Sequence, residues 1–286
     1  MSRKTCPVLN ASLIRRYLTH LQEQERSSNT LSKYAHDLSA LLAYLGGAPL
    51  TKAALIGWKE QLAATLAPAS VNSMLVAVNG FLRFCGWPEL RVKLLKIQRS
   101  VFADEEKELS RAEYERLVNA AKLLENERLT LVLQTICATG IRVSELRFIT
   151  AEAVNLGRAE ITNKGKRRTV FLPGKLRKLL TVYLRKQHKT SGPVFTTRSG
   201  KPLDRSNIWR DMKSLCTSAG VDPKKVFPHN LRHLFARTFY AIDHDLSRLA
   251  DILGHSSIST TRIYTAECGI VHAQQMERLQ LIVSTT

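Results

Sequence analysis

The sequence predicts a mainly helical chain with one small antiparallel β-sheet, α+β in class and divided into two units. Three observations predict it. The first 90 residues hold four stretches with apolar residues at helical spacing. Between Trp87 and Glu108 that periodicity fades into charge, and beyond it helical patterns resume, interrupted once by an alternating tract around Asn163-Lys164-Gly165-Lys166. At 286 residues the chain exceeds the usual length of a single domain, so two cores are expected.

The four early stretches begin with Leu13, Ile14, Tyr17, Leu18 and Leu21, followed by Leu31, Tyr34, Leu38, Leu41, Leu42 and Leu45. The third, capped by Thr51, carries Leu55, Trp58 and Leu62; the fourth follows Pro68 with Val71, Leu75, Val78, Phe81 and Leu82. Short breaks at Gly46, Pro49 and Pro68 join them into a helical bundle over residues 1–90. A linker is read over 91–108, where the basic Arg91, Lys93, Lys96 and Arg99 precede the acidic Asp104, Glu105, Glu106 and Glu108.

A second domain, 109–286, opens with a capping box, Ser110-x-x-Glu113. It continues through an apolar helix from Leu131 to Cys137 and a hairpin, Ala159–Thr162 and Thr169–Leu172. Helical spacing returns at Leu176–Tyr183, Ser206–Cys216, Leu231–Tyr240, Leu246–Leu253 and Val271–Leu281, the last placing a C-terminal helix over 270–283.

Forty-three Lys+Arg against 24 Asp+Glu give a formal charge of +19, a field that concentrates a polyanion but does not by itself separate nucleic-acid proteins from other cationic ones. The charge is uneven: between Ile161 and Leu203 stand 12 Lys/Arg and no Asp or Glu. With the basic linker this reads as a surface for a phosphate backbone, the candidates being Arg91, Lys93, Lys96, Arg99, Lys166, Arg167 and Arg168. The five cysteines lack C-x-x-C spacing and read as reduced thiols. No apolar run reaches membrane-spanning length, and Met1–Asn10 is too polar for a signal peptide, so a cytoplasmic protein without a membrane partner is expected.

Breaking a phosphodiester without a metal requires cations on the nonbridging oxygens, an aligned nucleophile and an acid for the leaving oxygen. Residues of those types occur in the second domain. Arg142 and Glu145 sit three apart in Thr139-Gly140-Ile141-Arg142-Val143-Ser144-Glu145-Leu146, a spacing that alone reads equally as a surface ion pair. Lys164 lies in the hairpin turn. His229 and Arg232 follow Pro228 on one side of a starting helix, in His229-Asn230-Leu231-Arg232-His233, where His233 is read as structural. His255 follows a helix-ending Gly254 and by itself is as readily a cap. Tyr264 stands nine residues beyond His255, one of seven tyrosines. Gly-rich phosphate cradles, metal-spaced carboxylates and a Ser–His–Asp arrangement are not apparent, so no cofactor and no metal are expected.

In order and in wording, "TGIRVSEL", "HNLRHLFA" and "LGHSSISTTRIY" among them, this set resembles the tyrosine site-specific recombinases, or integrase family, which includes phage integrases and Xer-like recombinases that resolve chromosome dimers. The resemblance implies a helical core-binding domain and a catalytic domain forming a C-shaped clamp on DNA. It implies that Arg142 and Arg232 hold the scissile phosphate, that Glu145 orients them from behind, and that His229 transfers protons, which a near-neutral pKa permits. Lys164 would protonate the departing 5′-oxygen. The turn departs from the family's more frequent Gly-Lys-Gly, and Lys166 is the alternative. His255 would assist at the phosphate and Tyr264 would be the nucleophile, forming a 3′-phosphotyrosyl link on the way to a Holliday junction.

The partners implied are double-stranded DNA recombination sites, a homotetramer with exchanged C-terminal helices, and accessory proteins. The role would be integration or excision of a mobile element, or resolution of replicon dimers. DNA relaxation of the type IB topoisomerase kind, or regulation by a non-catalytic relative, are the alternatives.

Overall fold

The structure, a computed structural model, describes residues 7–97, 105–163, 165–255, 257–264 and 277–278. By its contacts the chain divides after Arg99 into two compact units.

The N-terminal unit packs α1 (Ala11–Glu23), α2 (Ser28–Leu45), α3 (Lys52–Thr65) and α4 (Pro68–Phe84). Each start has a local cause. Asn10, Ser27 and Thr51 each accept a backbone N–H of the first turn, while Pro68 occupies the first turn of α4, where its missing N–H costs nothing. The apolar stripes meet in a core that includes Leu38, Leu41, Leu55, Val71, Leu75, Val78 and Phe81.

Residues 91–97, read above as the start of the linker, belong physically to this unit. Val92 is buried in its core, and two asparagines of α4 hold the extended backbone. Asn79 receives the Val92 N–H at 3.0 Å and donates to the Val92 carbonyl at 2.9 Å. Asn72 does the same for Leu95, at 2.7 and 2.9 Å. Lys59 donates to the Lys93 carbonyl at 2.9 Å, and Lys52 to that of Arg91. Helical periodicity ends near residue 90 because this strap is extended, its backbone satisfied by side chains instead of a ladder.

In the C-terminal unit α5 (Arg111–Leu123) starts on the expected Ser110–Glu113 box, and α6 (Glu127–Thr139) packs on it. A 3-10 turn (Val143–Phe148) and α7 (Ala151–Leu156) lead to β1 (Arg158–Asn163) and β2 (Lys166–Phe171), which form a two-stranded antiparallel sheet. Asn163 pairs with Lys166, so the strands run further into the hairpin than the expected bounds Thr162 and Thr169. There follow α8 (Gly174–Lys186), α9 (Arg205–Ser214), α10 (Cys216–Ala219), α11 (Pro228–Asp243), α12 (Leu246–Leu253) and α13 (Ile258–Thr261), with a final 3-10 turn (Arg262–Tyr264). α11 packs on α6 and α12 and brings the candidate residues together. The last residue of the expected linker also lies here: Glu108, next to the buried Leu109, ion-pairs with Arg237 of α11. Of the expected helix over 270–283, only Glu277 and Arg278 are among the described residues. No described helix is long and apolar enough to cross a membrane.

Candidate active site

Gly140 ends α6 in the left-handed region, φ +64°, and an added Cβ would lie 2.4 Å from Phe235 Cδ1. Glycine alone suits this bend, because it combines a positive φ with close passage of another side chain. The bend turns the Gly140 carbonyl toward α11 and delivers Arg142 to the start of the following 3-10 turn. There Glu145 Oε2 accepts the Arg142 N–H at 2.7 Å, and Oε1 accepts from Nη1 at 3.1 Å. The segment after Gly140 is thus a 3-10 turn, and the Arg142–Glu145 pair is made to a buried carboxylate, not on the open surface.

Arg232, on the first turns of α11, is 1% exposed. A buried guanidinium needs acceptors. Nη1 donates to the Gly140 carbonyl at 2.6 Å; Nη2 donates to the Leu253 carbonyl at 2.7 Å and to His255 Nε2 at 2.9 Å. One side chain therefore ties the ends of α6 and α12 together. Burial, and then Arg142, pull its pKa down to about 10, which leaves it charged at neutral pH.

His255 follows Gly254, whose φ of +65° ends α12. Because arginine has no acceptor, His255 Nε2 must accept, so Nδ1 carries the proton and donates to Thr261 Oγ1 at 2.8 Å. Burial, then Arg232, Arg142 and Arg168, hold this imidazole neutral, its pKa pushed down to about 4.

Tyr264 is 3% exposed and packs with Ala236, Leu249 and Leu253. Its ring stacks on His255, centroids 5.8 Å apart, and its phenol interacts electrostatically with the Arg232 guanidinium. His233, read as structural, meets Tyr264 edge-on at 4.6 Å and His229 at 4.6 Å, so the three rings form one row. Behind His233 stands Glu108, 3.8 Å away. Burial would raise the Glu108 pKa, but contacts with His233 and Arg237 outweigh it and hold it low. The row was invisible locally, because Tyr264 arrives on another element; only the four-residue spacing of His229 and His233 hinted at it.

His229 is open to solvent on its outer edge. Burial of its inner side, then His233, Arg232, Arg142 and Arg205, push its pKa below the usual value, to about 4; solvent at the open edge moderates this, but the direction is toward a neutral ring. Arg205, at the start of α9, is a cation near the site that the sequence reading missed.

The basic candidates separate. Arg91, Lys93 and Lys96 are exposed on the N-terminal strap, and Arg167 is exposed on β2. Arg168 is not a free surface cation: it is mostly buried and grips Glu145, Nη1 to Oε1 at 3.0 Å and Nη2 to Oε2 at 2.8 Å. The cause is strand alternation, which turns Arg168 to the same face as buried Val170. Lys164 and Arg99, and the side chain of Lys166, lie outside the described residues. The two arginines fix Glu145 as a carboxylate: burial raises its pKa, but Arg168 and Arg142 bring it to about 2. Among the described residues no cluster of His, Cys, Asp and Glu is placed to hold a metal ion.

Residues 107–268 match the phage integrase family, and residues 14–87 match the phage integrase N-terminal SAM-like domain. The tyrosine recombinase XerD of Xanthomonas axonopodis pv. citri is 32% identical, the match covering 94% of this chain and 96% of that protein. The tyrosine recombinase XerA of Pyrococcus furiosus is 28% identical, covering 96% of each. In fold the chain resembles the XerH site-specific recombinase bound to its difH substrate, TM-score 0.71 at 21% identity, over 96% of this chain and 85% of that one. It also resembles a lambda integrase tetramer bound to a Holliday junction, TM-score 0.73 at 18% identity, over 91% and 78%. The chain belongs to the phage integrase family, and it is a site-specific tyrosine recombinase.

Proposed function

We propose that Tyr264 is the nucleophile, and that Arg142, Arg232, His229, His255 and Lys164 act on the phosphate it attacks. The observation that carries this reading is the packing of Tyr264 on His255 with its phenol against the Arg232 guanidinium. A phenolate forming there has a fixed cation beside it, as a developing oxyanion requires. Tyr264 Oη attacks phosphorus, the bond to the 5′-oxygen breaks, and a 3′-phosphotyrosyl link forms. Arg142 and Arg232 hold the nonbridging oxygens, Arg142 through its partly exposed guanidinium. His229, neutral at pH 7, is a proton acceptor. Lys164, or Lys166 in its place, supplies the proton to the leaving oxygen; Glu145 keeps Arg142 in place.

The link conserves the bond energy, so a free 5′-hydroxyl of a second duplex can attack it without ATP. One exchange yields a Holliday junction and a second resolves it. Four protomers on two duplexes would do this, in line with the lambda integrase tetramer. The matched relatives are recombinases, which leaves DNA relaxation and pure regulation unfavoured. We place the action in the cytoplasm, on dif-like or mobile-element sites. Residues 270–286 dock on a neighbouring protomer; deleting them weakens synaptic complexes on native gels and spares single-site binding.

The test is a nicked suicide substrate carrying the cognate site. Tyr264→Phe binds it but forms no covalent adduct; adduct formation equal to wild type would remove Tyr264 from this role.

A further inference from the structure

Glu145 is 1% exposed and has two arginine partners. A carboxylate so buried requires at least one cation. Arg168 meets that need alone: its two parallel N–H bonds occupy both carboxylate oxygens in the fork-to-fork geometry that guanidinium and carboxylate share. Arg142, by contrast, makes a single side-chain bond to Glu145, at 3.1 Å, and a long one to the Leu253 carbonyl, at 3.4 Å. Its side chain is 33% exposed, against 13% for Arg168.

Arg168 also passes over the bend before His255. A Cβ added to Gly254 would lie 2.8 Å from its Cδ and Nη1. The strand, Glu145 and the end of α12 are thus registered on one another by one side chain.

We infer that Arg168 is a positioning residue for strand transfer, clamping Glu145 so that Arg142 keeps donors free for the scissile phosphate. The inference rests on the reading of Arg142 as a phosphate contact. Without Arg168, the buried carboxylate has only Arg142 to neutralise it and draws that guanidinium inward. Lysine in its place keeps the charge but cannot make the two parallel bonds.

The full-length protein tests this on a nicked suicide substrate, with adduct formation timed at saturating DNA and binding measured across a salt series. Arg168→Ala and Arg168→Lys both slow adduct formation by about 10- to 100-fold, the range expected for a lost charge-assisted bond. Affinity changes less than about threefold and the salt slope stays as in wild type, since no phosphate contact is lost. Removing the carboxylate charge as well, in Glu145→Gln/Arg168→Gln, recovers part of the rate.

Wild-type adduct rates with weaker, less salt-dependent binding would instead make Arg168 a backbone contact and overturn the inference. If Arg168→Ala does not fold, Arg168→Lys and the double variant decide: a folded double variant no faster than Arg168→Lys overturns it too. Arg142→Lys is the control for the underlying reading, because wild-type rates there would sink the role of Arg142 whatever Arg168 does.

Discussion

Arg232 Nη2 donates to His255 Nε2 at 2.9 Å, and this one bond settles the tautomer of His255. The imidazole accepts from the buried arginine and donates its own N–H, on Nδ1, to Thr261 Oγ1. His255 is therefore a spacer that fixes Arg232 from the side on which Tyr264 stacks, which separates its substitutions by chemistry.

Glutamine at 255 offers an acceptor near the position of Nε2, whereas alanine leaves an Arg232 N–H buried without a partner. A bond to a charged donor contributes about 1.5–3 kcal/mol. His255→Ala should therefore cut the rate of covalent adduct formation by about 10- to 100-fold, and His255→Gln by clearly less. Equal losses would mean that ring packing on Tyr264, not the bond to Arg232, is what His255 supplies.

Acid should weaken the folded state through the same residue. His255 titrates near pH 4 when folded and near 6.5 when unfolded, so the unfolded chain binds a proton first as pH falls. Its contribution is complete above about pH 6.5 and is lost as pH drops toward 4. His229 shifts in the same direction. Glu145, low when folded, adds its own loss only below the usual carboxylate range. Urea midpoints for wild type should fall between pH 7 and pH 5, and those of His255→Gln should fall less steeply. Identical pH dependence in the two proteins would show that His255 is not the titrating group.

How far the sequence is legible depends on whether a feature is local. The Ser110 box, the Thr51 cap and the bounds of α12 depend on residues within a turn of one another, and sequence and structure agree on them. The burial of Arg232 is not local: its acceptor at Gly140 lies 92 residues away. Arg168 is the intermediate case. Val170 and Leu172, both buried, carried the alternation that turns Arg168 inward, but the run of cations around it reads more simply as a surface. The packing partner of His233 is hidden for a third reason, since Tyr264 comes from a separate element that packs back onto α11.

Gly140 should tolerate nothing larger. Alanine there adds the cost of a positive φ, about 1–2 kcal/mol, to an overpacking cost of about 1–3 kcal/mol against Phe235 and Leu253. Gly140→Ala should lose about 2–5 kcal/mol by urea unfolding, and because the bend carries an Arg232 acceptor, adduct formation should fall with it. Pairing it with Phe235→Leu should return part of the stability, since the two residues share one contact. Full additivity would place the cost in the backbone alone.

The strap over residues 91–97 invites a test by protease, because Arg91, Lys93 and Lys96 are exposed trypsin sites on an extended segment. Cleavage needs the backbone to leave its surface, and Asn72 and Asn79 make four bonds that oppose this. At about 1 kcal/mol for a typical bond, each asparagine contributes about 2 kcal/mol to closing the strap. When opening is fast relative to cleavage, the cleavage rate follows the open population. Asn79→Ala should thus speed trypsin cleavage at Arg91 and Lys93 by about 30-fold, with the double Asn72→Ala/Asn79→Ala variant faster still. The thermal transition of the C-terminal unit should not move. If Arg91 and Lys93 touch the DNA backbone, the double variant should also bind DNA more weakly, since their positions must then be ordered at binding. Protease rates unchanged from wild type would show that Val92 packing, and not the asparagine pairs, holds the strap.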